Sequence, residues 1–284
     1  MSQPLSVTFW GVRGSIACSG PEYVRYGGNT SCLEVVAGGR HLIFDAGTGI
    51  RPLGLELQKN AKILDLDIFF THTHLDHVAG LTFFAPMFSP KNTIRMWAGH
   101  LQPSLHLVDV IHALMQAPLY PVSLDIFAAA VSFNDFVACR TLHPAPGVTL
   151  RSAPLNHPNG ATGYRVDCGG KSICYITDTE HRGEGPDNVI VELCRGADIM
   201  IYDSTYSDEE YPRYKGWGHS TWQEGVRIAD AADVGTVAIF HHDPSHDDEF
   251  MDAVGRKAAA LRPGTTATGL PRVLVAREQM TLTP

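Results

Sequence analysis

Short apolar or alternating runs separated by glycine turns dominate the chain, with amphipathic stretches between them. Leu5, Val7 and Phe9 alternate with polar neighbours, the period-two pattern of a half-buried strand. Leu33-Glu34-Val35-Val36 and His41-Leu42-Ile43-Phe44 flank Gly38-Gly39 and predict a hairpin. Ile68-Phe69-Phe70 is apolar throughout, as in a strand covered on both faces. A second hairpin is expected from Gly163–Val166 to Ser172–Ile176, turning at Gly169-Gly170, and Ile199–Tyr202 and Val237–Phe240 predict further buried strands. Helical periodicity falls near 102–116, 221–233 and 247–261. The stretch 85–140 is less regular and proline-rich, and predicts a lid-like insertion in a single domain spanning 1–284. Tyr120 and Phe88 within it are aromatic side chains that can stack on a base.

Composition narrows the field. The net charge is −8, which disfavours the basic stripe that long nucleic acids need. No apolar run approaches the ~20 residues that cross a bilayer, and no export signal precedes the first strand, so a cytoplasmic, non-membrane protein is expected. Six cysteines occur with no Cys-x-x-Cys pair, which excludes zinc ribbons and thioredoxin-like redox motifs. The count that changes the picture is 14 histidines, the commonest metal ligands.

Four of the most informative side chains lie in Thr71-His72-Thr73-His74-Leu75-Asp76-His77, directly after the apolar strand. His72 and His74 are two apart in extended chain, so their imidazoles point the same way and can share one ion. Asp76 and His77 follow where the chain turns toward a helix, whose side chains diverge by ~100° per residue, so they can face a second ion. Further polar residues leave apolar strands at His157, Asp178 and the pair His241-His242. Gly218-His219-Ser220-Thr221 precedes a predicted helix at Trp222, where Ser220 or Thr221 can cap and His219 can donate a proton.

His72-Thr73-His74-Leu75-Asp76-His77 resembles the signature of the metallo-β-lactamase superfamily, and the similarity extends from Val7 to Val275. The resemblance implies an α/β fold, a four-layer αββα sandwich. It implies two divalent metal ions per subunit, Zn²⁺ foremost with Mn²⁺ or Fe²⁺ tolerated. His72, His74 and His157 would hold the first, Asp76, His77 and His241 the second, and Asp178 would bridge them. His241 is preferred to His242 because His241-His242-Asp243-Pro244 is similar to the corresponding ending in ribonuclease Z relatives, and His246 is expected to face solvent. Asp45 in Phe44-Asp45-Ala46-Gly47 would orient a ligand histidine.

Gly11–Ser15, Gly27–Ser31, Tyr175–Thr179, Ile201–Tyr206 and Gly218–Thr221 resemble the ribonuclease Z and phosphodiesterase branch. That branch implies a phosphodiesterase, with hydroxide held between the metals as nucleophile, Asp76 in catalysis and His219 as proton donor. Two departures bear on substrate. Ribonuclease Z carries a long tRNA-binding arm between the positions of His157 and Asp178, which here are 178 − 157 = 21 apart. The cysteine-rich zinc site of the cyclic-phosphate branch has no counterpart. The expected substrate is therefore a small phosphodiester such as a cyclic nucleotide, with no long nucleic acid, and the branch implies a homodimer. The alternatives are a lactone, thioester or β-lactam hydrolase on the same scaffold, a non-catalytic nucleotide-binding sensor, and redox chemistry at iron.

Overall fold

A computed structural model describes residues 5–183 and 185–284. In chain order the strands are β1 (Leu5–Gly11), β2 (Cys32–Ala37), β3 (Arg40–Phe44), β4 (Asp65–Phe70), β5 (Thr93–Ala98), β6 (Ala130–Asp135), β7 (Thr141–Ala145), β8 (Val148–Leu155), β9 (Ala161–Cys168), β10 (Lys171–Ile176), β11 (Ile199–Asp203), β12 (Thr236–Phe240), β13 (Val273–Val275) and β14 (Thr281–Leu282). They form two seven-stranded sheets, β14-β1-β2-β3-β4-β5-β6 and β13-β12-β11-β10-β9-β8-β7. Each sheet has an antiparallel half built from hairpins and a parallel half, β3 to β6 in one and β10 to β13 in the other. The helices are α1 (Ile50–Asn60), α2 (Leu75–Val78), α3 (Leu107–Leu114), α4 (Asn188–Cys194), α5 (Trp222–Ala231) and α6 (Asp248–Leu261).

Three apolar cores separate four layers. The central one joins the sheets through Phe9, Phe44, Phe69, Tyr164, Tyr175 and Phe240. A second lies between β10–β13 and α4, α5 and α6, through residues such as Met200, Ile239, Val226 and Met251. The third lies between β3–β5 and α1 and α3, with Ile68, Phe70, Leu53 and Ile111. This is the αββα sandwich, and the parallel strands are apolar on both faces because both faces are covered. The aromatics between the sheets meet at ring-centroid distances of 5.4–6.1 Å, as in Phe44–Tyr164, Phe44–Phe69 and Phe9–Phe240, within the favourable range for such pairs. Their hydroxyls are not wasted: Tyr164 donates to the Phe70 carbonyl at 2.7 Å, and Tyr175 donates to Asp45 at 2.9 Å.

Two sequence expectations change. The stretch 85–140 is not a lid as a whole, because it holds β5 and β6, full parallel strands of the first sheet. What stands outside the sheets is 99–129, between those strands. The helix expected over 102–116 is shorter, Leu107–Leu114, and its first N–H donates outside the helix to Asp135 Oδ1 at 2.9 Å. Tyr120 and Phe88 pair edge-on with Phe83 and Phe127 at 6.3 and 5.6 Å, and Tyr120 donates its hydroxyl to the Thr82 carbonyl. Both are held in local packing contacts, and neither lines the cavity that opens on His72 and His74.

Candidate metal centre

Polar residues collect where strands of both sheets end. Asp45 follows β3, His72 and His74 follow β4, His157 follows β8, Asp178 follows β10, Asp203 ends β11, and His241 follows β12. Three of them, Asp45, Asp178 and His241, have φ of 60°, 56° and 63°. Non-glycine residues in this left-handed region cost of the order of 1–3 kcal/mol each and persist where the surroundings over-determine them. Each turns its side chain back over the sheet edge at the moment its strand ends.

The donor atoms form two groups that share one carboxylate. Asp178 Oδ1 is 3.7 Å from both His72 Nε2 and His157 Nε2, and His157 Nε2 is 3.0 Å from His74 Nδ1. Asp178 Oδ2 is 3.2 Å from His77 Nε2 and 3.4 Å from His241 Nε2, and both of those nitrogens are 3.3 Å from Asp76 Oδ2. Ligand atoms around a tetrahedral ion with bonds of ~2.0–2.1 Å sit about 3.3–3.4 Å apart, so these spacings fit cations between them. His72 Nε2 is buried and has no hydrogen-bond partner among the described residues, as a ligand nitrogen aimed at an ion should. All seven side chains expected to bind metal are thus brought together.

The other ring nitrogens are held by the protein. Asp45 is fully buried and accepts four hydrogen bonds, from Thr71 N–H at 2.7 Å, the Thr71 hydroxyl, the Tyr175 hydroxyl and His77 Nδ1 at 2.8 Å. This fixes His77 with Nδ1 protonated and Nε2 turned to the cluster. His157 Nδ1 donates to the Gly218 carbonyl at 2.8 Å. His241 Nδ1 is 2.9 Å from the Thr205 hydroxyl, which donates in turn to Asp203 Oδ1 at 2.7 Å. Asp76 Oδ2 accepts the Ser15 N–H at 2.8 Å. Mutual burial and charge then set protonation. Burial alone would raise the Asp76 and Asp178 carboxyls, but facing histidines, His77 first for Asp76 and His241 first for Asp178, hold both well below the usual range. Burial, reinforced by neighbouring histidines, keeps the His72, His74 and His157 pKa values down and their rings neutral, the state that ligates.

A family model described as the β-lactamase superfamily domain matches residues 40–242, about seven-tenths of the chain. The chain belongs to the metallo-β-lactamase superfamily. Ribonuclease Z from Brevibacillus brevis is 26% identical over 87% of this chain and 91% of its own. Among solved structures, the metallo-β-lactamase fold protein YhfI from Bacillus subtilis aligns over 99% of this chain and 100% of its own, with a TM-score of 0.70 and 16% identity. A diphosphatase from the PhnP family covers 100% of this chain and 98% of its own, with a TM-score of 0.70 and 19% identity. This metallo-β-lactamase relative is a metal-dependent hydrolase of the ribonuclease Z-like branch, and its fold implies divalent metal ions.

His219 lies beside the superfamily centre. Its Nδ1 is 3.1 Å from Asp203 Oδ2 and 3.7 Å from Asp178 Oδ1, and its ring stacks on His241 at 4.9 Å. Burial alone would lower its pKa, but the charge and hydrogen bond of Asp203 outweigh it and push it up to about 9. Asp203, marked in the sequence only as part of Ile201–Tyr206 and given no role there, is the acid that holds this ring. It is fully buried and accepts from the Thr179 and Thr205 N–H groups as well, so one carboxylate steadies both His219 and, through Thr205, His241. Its signal was available: an acid ending the apolar run Ile199–Tyr202, as Asp178 follows Ile173–Ile176. Thr221, not Ser220, caps α5, accepting the Glu224 N–H at 3.1 Å, while the Ser220 hydroxyl pairs with Tyr202 and His181.

The histidines after His241 lie elsewhere. His242 is buried and its Nε2 donates to the Ala276 carbonyl at 2.9 Å, outside the donor cluster. Burial first, with Arg13 adding to it, takes its pKa down to about 3. His246 does not face solvent as expected: it is buried, because Phe250 of α6 stacks on its ring at 3.8 Å and Glu210 pairs with it at 2.9 Å.

Proposed function

We propose that this chain hydrolyses a small phosphodiester, a cyclic nucleotide among the candidates, with two divalent cations, Zn²⁺ foremost, held by His72, His74, His157 and by Asp76, His77, His241, and bridged by Asp178. The observation that carries this reading is the two-sided Asp178 carboxylate, with a histidine group at each oxygen. Bound there, such ions supply positive charge to the phosphoryl oxygens and bring a water toward ionisation at neutral pH. The chain's own groups do the rest. Asp76 has one oxygen held by Ser15, which orients its carboxylate to accept the proton of an attacking water. His219, held protonated by Asp203, gives its proton to the departing alkoxide from the ring nitrogen that Asp203 does not engage.

The small substrate is supported by what joins His157 to Asp178. Those residues are linked by β9 and β10, a tight hairpin turning at Gly169-Gly170, which leaves no room for an RNA-binding arm. The chain's charge of −8 argues the same way, since long RNA contacts need basic residues. The ribonuclease Z name of its relatives makes RNA the contrasting outcome.

The test is purified protein reconstituted with Zn²⁺ or Mn²⁺ and assayed on bis-p-nitrophenyl phosphate, on 2′,3′- and 3′,5′-cyclic nucleotides, and on a tRNA precursor. Two ions per chain and turnover of the small esters are expected. Fewer than two ions, or cleavage confined to the tRNA precursor, overturns it. A steric variant probes the second donor group directly. A Cβ at Gly14 would lie 2.3 Å from His241 Cε1 and 2.4 Å from its Nδ1, and Gly14 has no special backbone need. Gly14→Ala is therefore expected to push the His241 ring off its position and lower bound metal toward one ion per chain, measured by elemental analysis, with the fold intact by circular dichroism.

A further inference from the structure

We infer that the cavity beside His72 and His74 is a subsite for one uncharged, nucleoside-like group of the substrate, bounded by an apolar wall and by His100. The inference rests on the phosphodiesterase reading above and names what the ester carries. The cavity holds about 520 Å³, within the ~300–1,000 Å³ of small-molecule sites, and it opens directly onto the first histidine group. Leu101, Leu105 and Val110 supply its apolar wall, and His100, Gln102 and Asn159 its polar groups. Among the described residues, no Asp, Glu, Lys or Arg lines it.

His100 belongs to the site by topology. It lies just past β5, the parallel neighbour of β4, so its strand end stands beside that of His72, with the two rings 6.5 Å apart. One of its nitrogens, Nε2, is 3.2 Å from the Thr73 hydroxyl, and the other, Nδ1, is buried without a partner among the described residues. Burial, with His74 adding to it, takes its pKa down to about 4, so the ring is a neutral hydrogen-bonding group. Asn159 sits in a left-handed turn (φ 66°), with its amide nitrogen 3.4 Å from His74 Nε2, at the join between donor cluster and cavity.

The lining selects the ligand class. An acyl chain would offer nothing to His100 Nδ1 and would shut the amide oxygens of Gln102 and Asn159 off from water, which is costly. A second phosphate would find no cation on these walls. A bare sugar would set hydroxyls against Leu101 and Val110. A nucleoside has flat apolar faces for the wall and hydrogen-bonding edges for His100, Gln102 and Asn159.

The experiment compares two esters with one leaving group, methyl p-nitrophenyl phosphate and thymidine 5′-(p-nitrophenyl phosphate). In each, water oxygen bonds to phosphorus, the P–O(aryl) bond breaks, p-nitrophenolate departs and the released proton goes to buffer. The metal-replete protein is expected to favour the nucleoside ester at least tenfold in kcat/KM. His100→Ala, and Ser104→Trp at the exposed rim, are expected to bring that ratio near one while metal content stays at the wild-type level. Calorimetry with thymidine 5′-monophosphate is expected to show binding that weakens at least tenfold in both variants. A wild-type ratio near one, or a preference that survives both variants, overturns the subsite. If neither ester is cleaved, the phosphodiesterase reading fails separately, and calorimetry decides: binding lost in the variants supports the subsite, and absent or unaltered binding overturns it.

Discussion

His219→Ala is expected to lower kcat on a cyclic nucleotide by about 10²–10⁴-fold while bound metal stays unchanged, because the alkoxide that leaves then lacks its proton. The same variant should slow p-nitrophenyl esters far less, since nitrophenolate departs without protonation. The proton is held by Asp203, whose Oδ2 lies 3.1 Å from His219 Nδ1. Burial opposes the charged ring, yet Asp203 pushes its pKa up to about 9. The sign follows. The acid is present below that pKa, so activity falls as pH rises through it. Asp203→Asn should bring the alkaline fall to lower pH, toward the ordinary histidine value. In stability, the His219–Asp203 pair contributes fully below pH ~6.5 and is lost as pH rises through about 9. pH–rate profiles of wild type and Asp203→Asn on a cyclic nucleotide check this. Equal losses on nitrophenyl and alkyl esters, or an unmoved alkaline limb, would refute the proton-donor role.

Asp178→Ala is expected to bind less than one ion per chain and to lose turnover on every substrate, since both donor groups meet at this carboxylate. Stability should follow the metal. An ion present at about 1,000 times its Kd adds roughly 4 kcal/mol, and at about 2–4 °C per kcal/mol for a chain of this size that is roughly 8–16 °C in Tm per ion. Chelation should therefore lower the wild-type Tm by that amount or more and leave Asp178→Ala almost unmoved. Calorimetric scans with and without chelator, beside elemental analysis, measure it. A variant that keeps two ions, or a wild type whose Tm ignores chelation, contradicts the shared carboxylate.

Much of this was legible before any coordinates. The strand-ending polar residues announced themselves because an apolar run that stops at a His or Asp is a buried strand reaching a surface, as at Phe70–His72, Ile176–Asp178 and Phe240–His241. Asp203 obeys the same rule, but the sequence marked it only within the Ile201–Tyr206 resemblance and gave the acid no role of its own. His100 gave no signal, since the His72, His74 and Asn159 side chains it joins at the cavity come from segments far from it in sequence. The 85–140 stretch misled because five prolines interrupt it, while β5 and β6, at six residues each, are short beside the irregular chain that separates them.

Local chemistry is what one dimension carries. Periodicity marked the strands and helices and the His72–His77 run marked the metal chemistry, because residues within a turn or a strand have positions dictated by the backbone repeat, while the sandwich followed from the family resemblance that this run carries. Which of two adjacent histidines turns inward, which acid holds His219, and what fills the wall beside His72 depend on contacts between segments far apart in sequence. His241 meets Asp76 from 165 residues away, and His242 turns instead to Ala276. Such choices rest on how two sheets stack and where their edges coincide, and packing of the whole chain is the only thing that determines that.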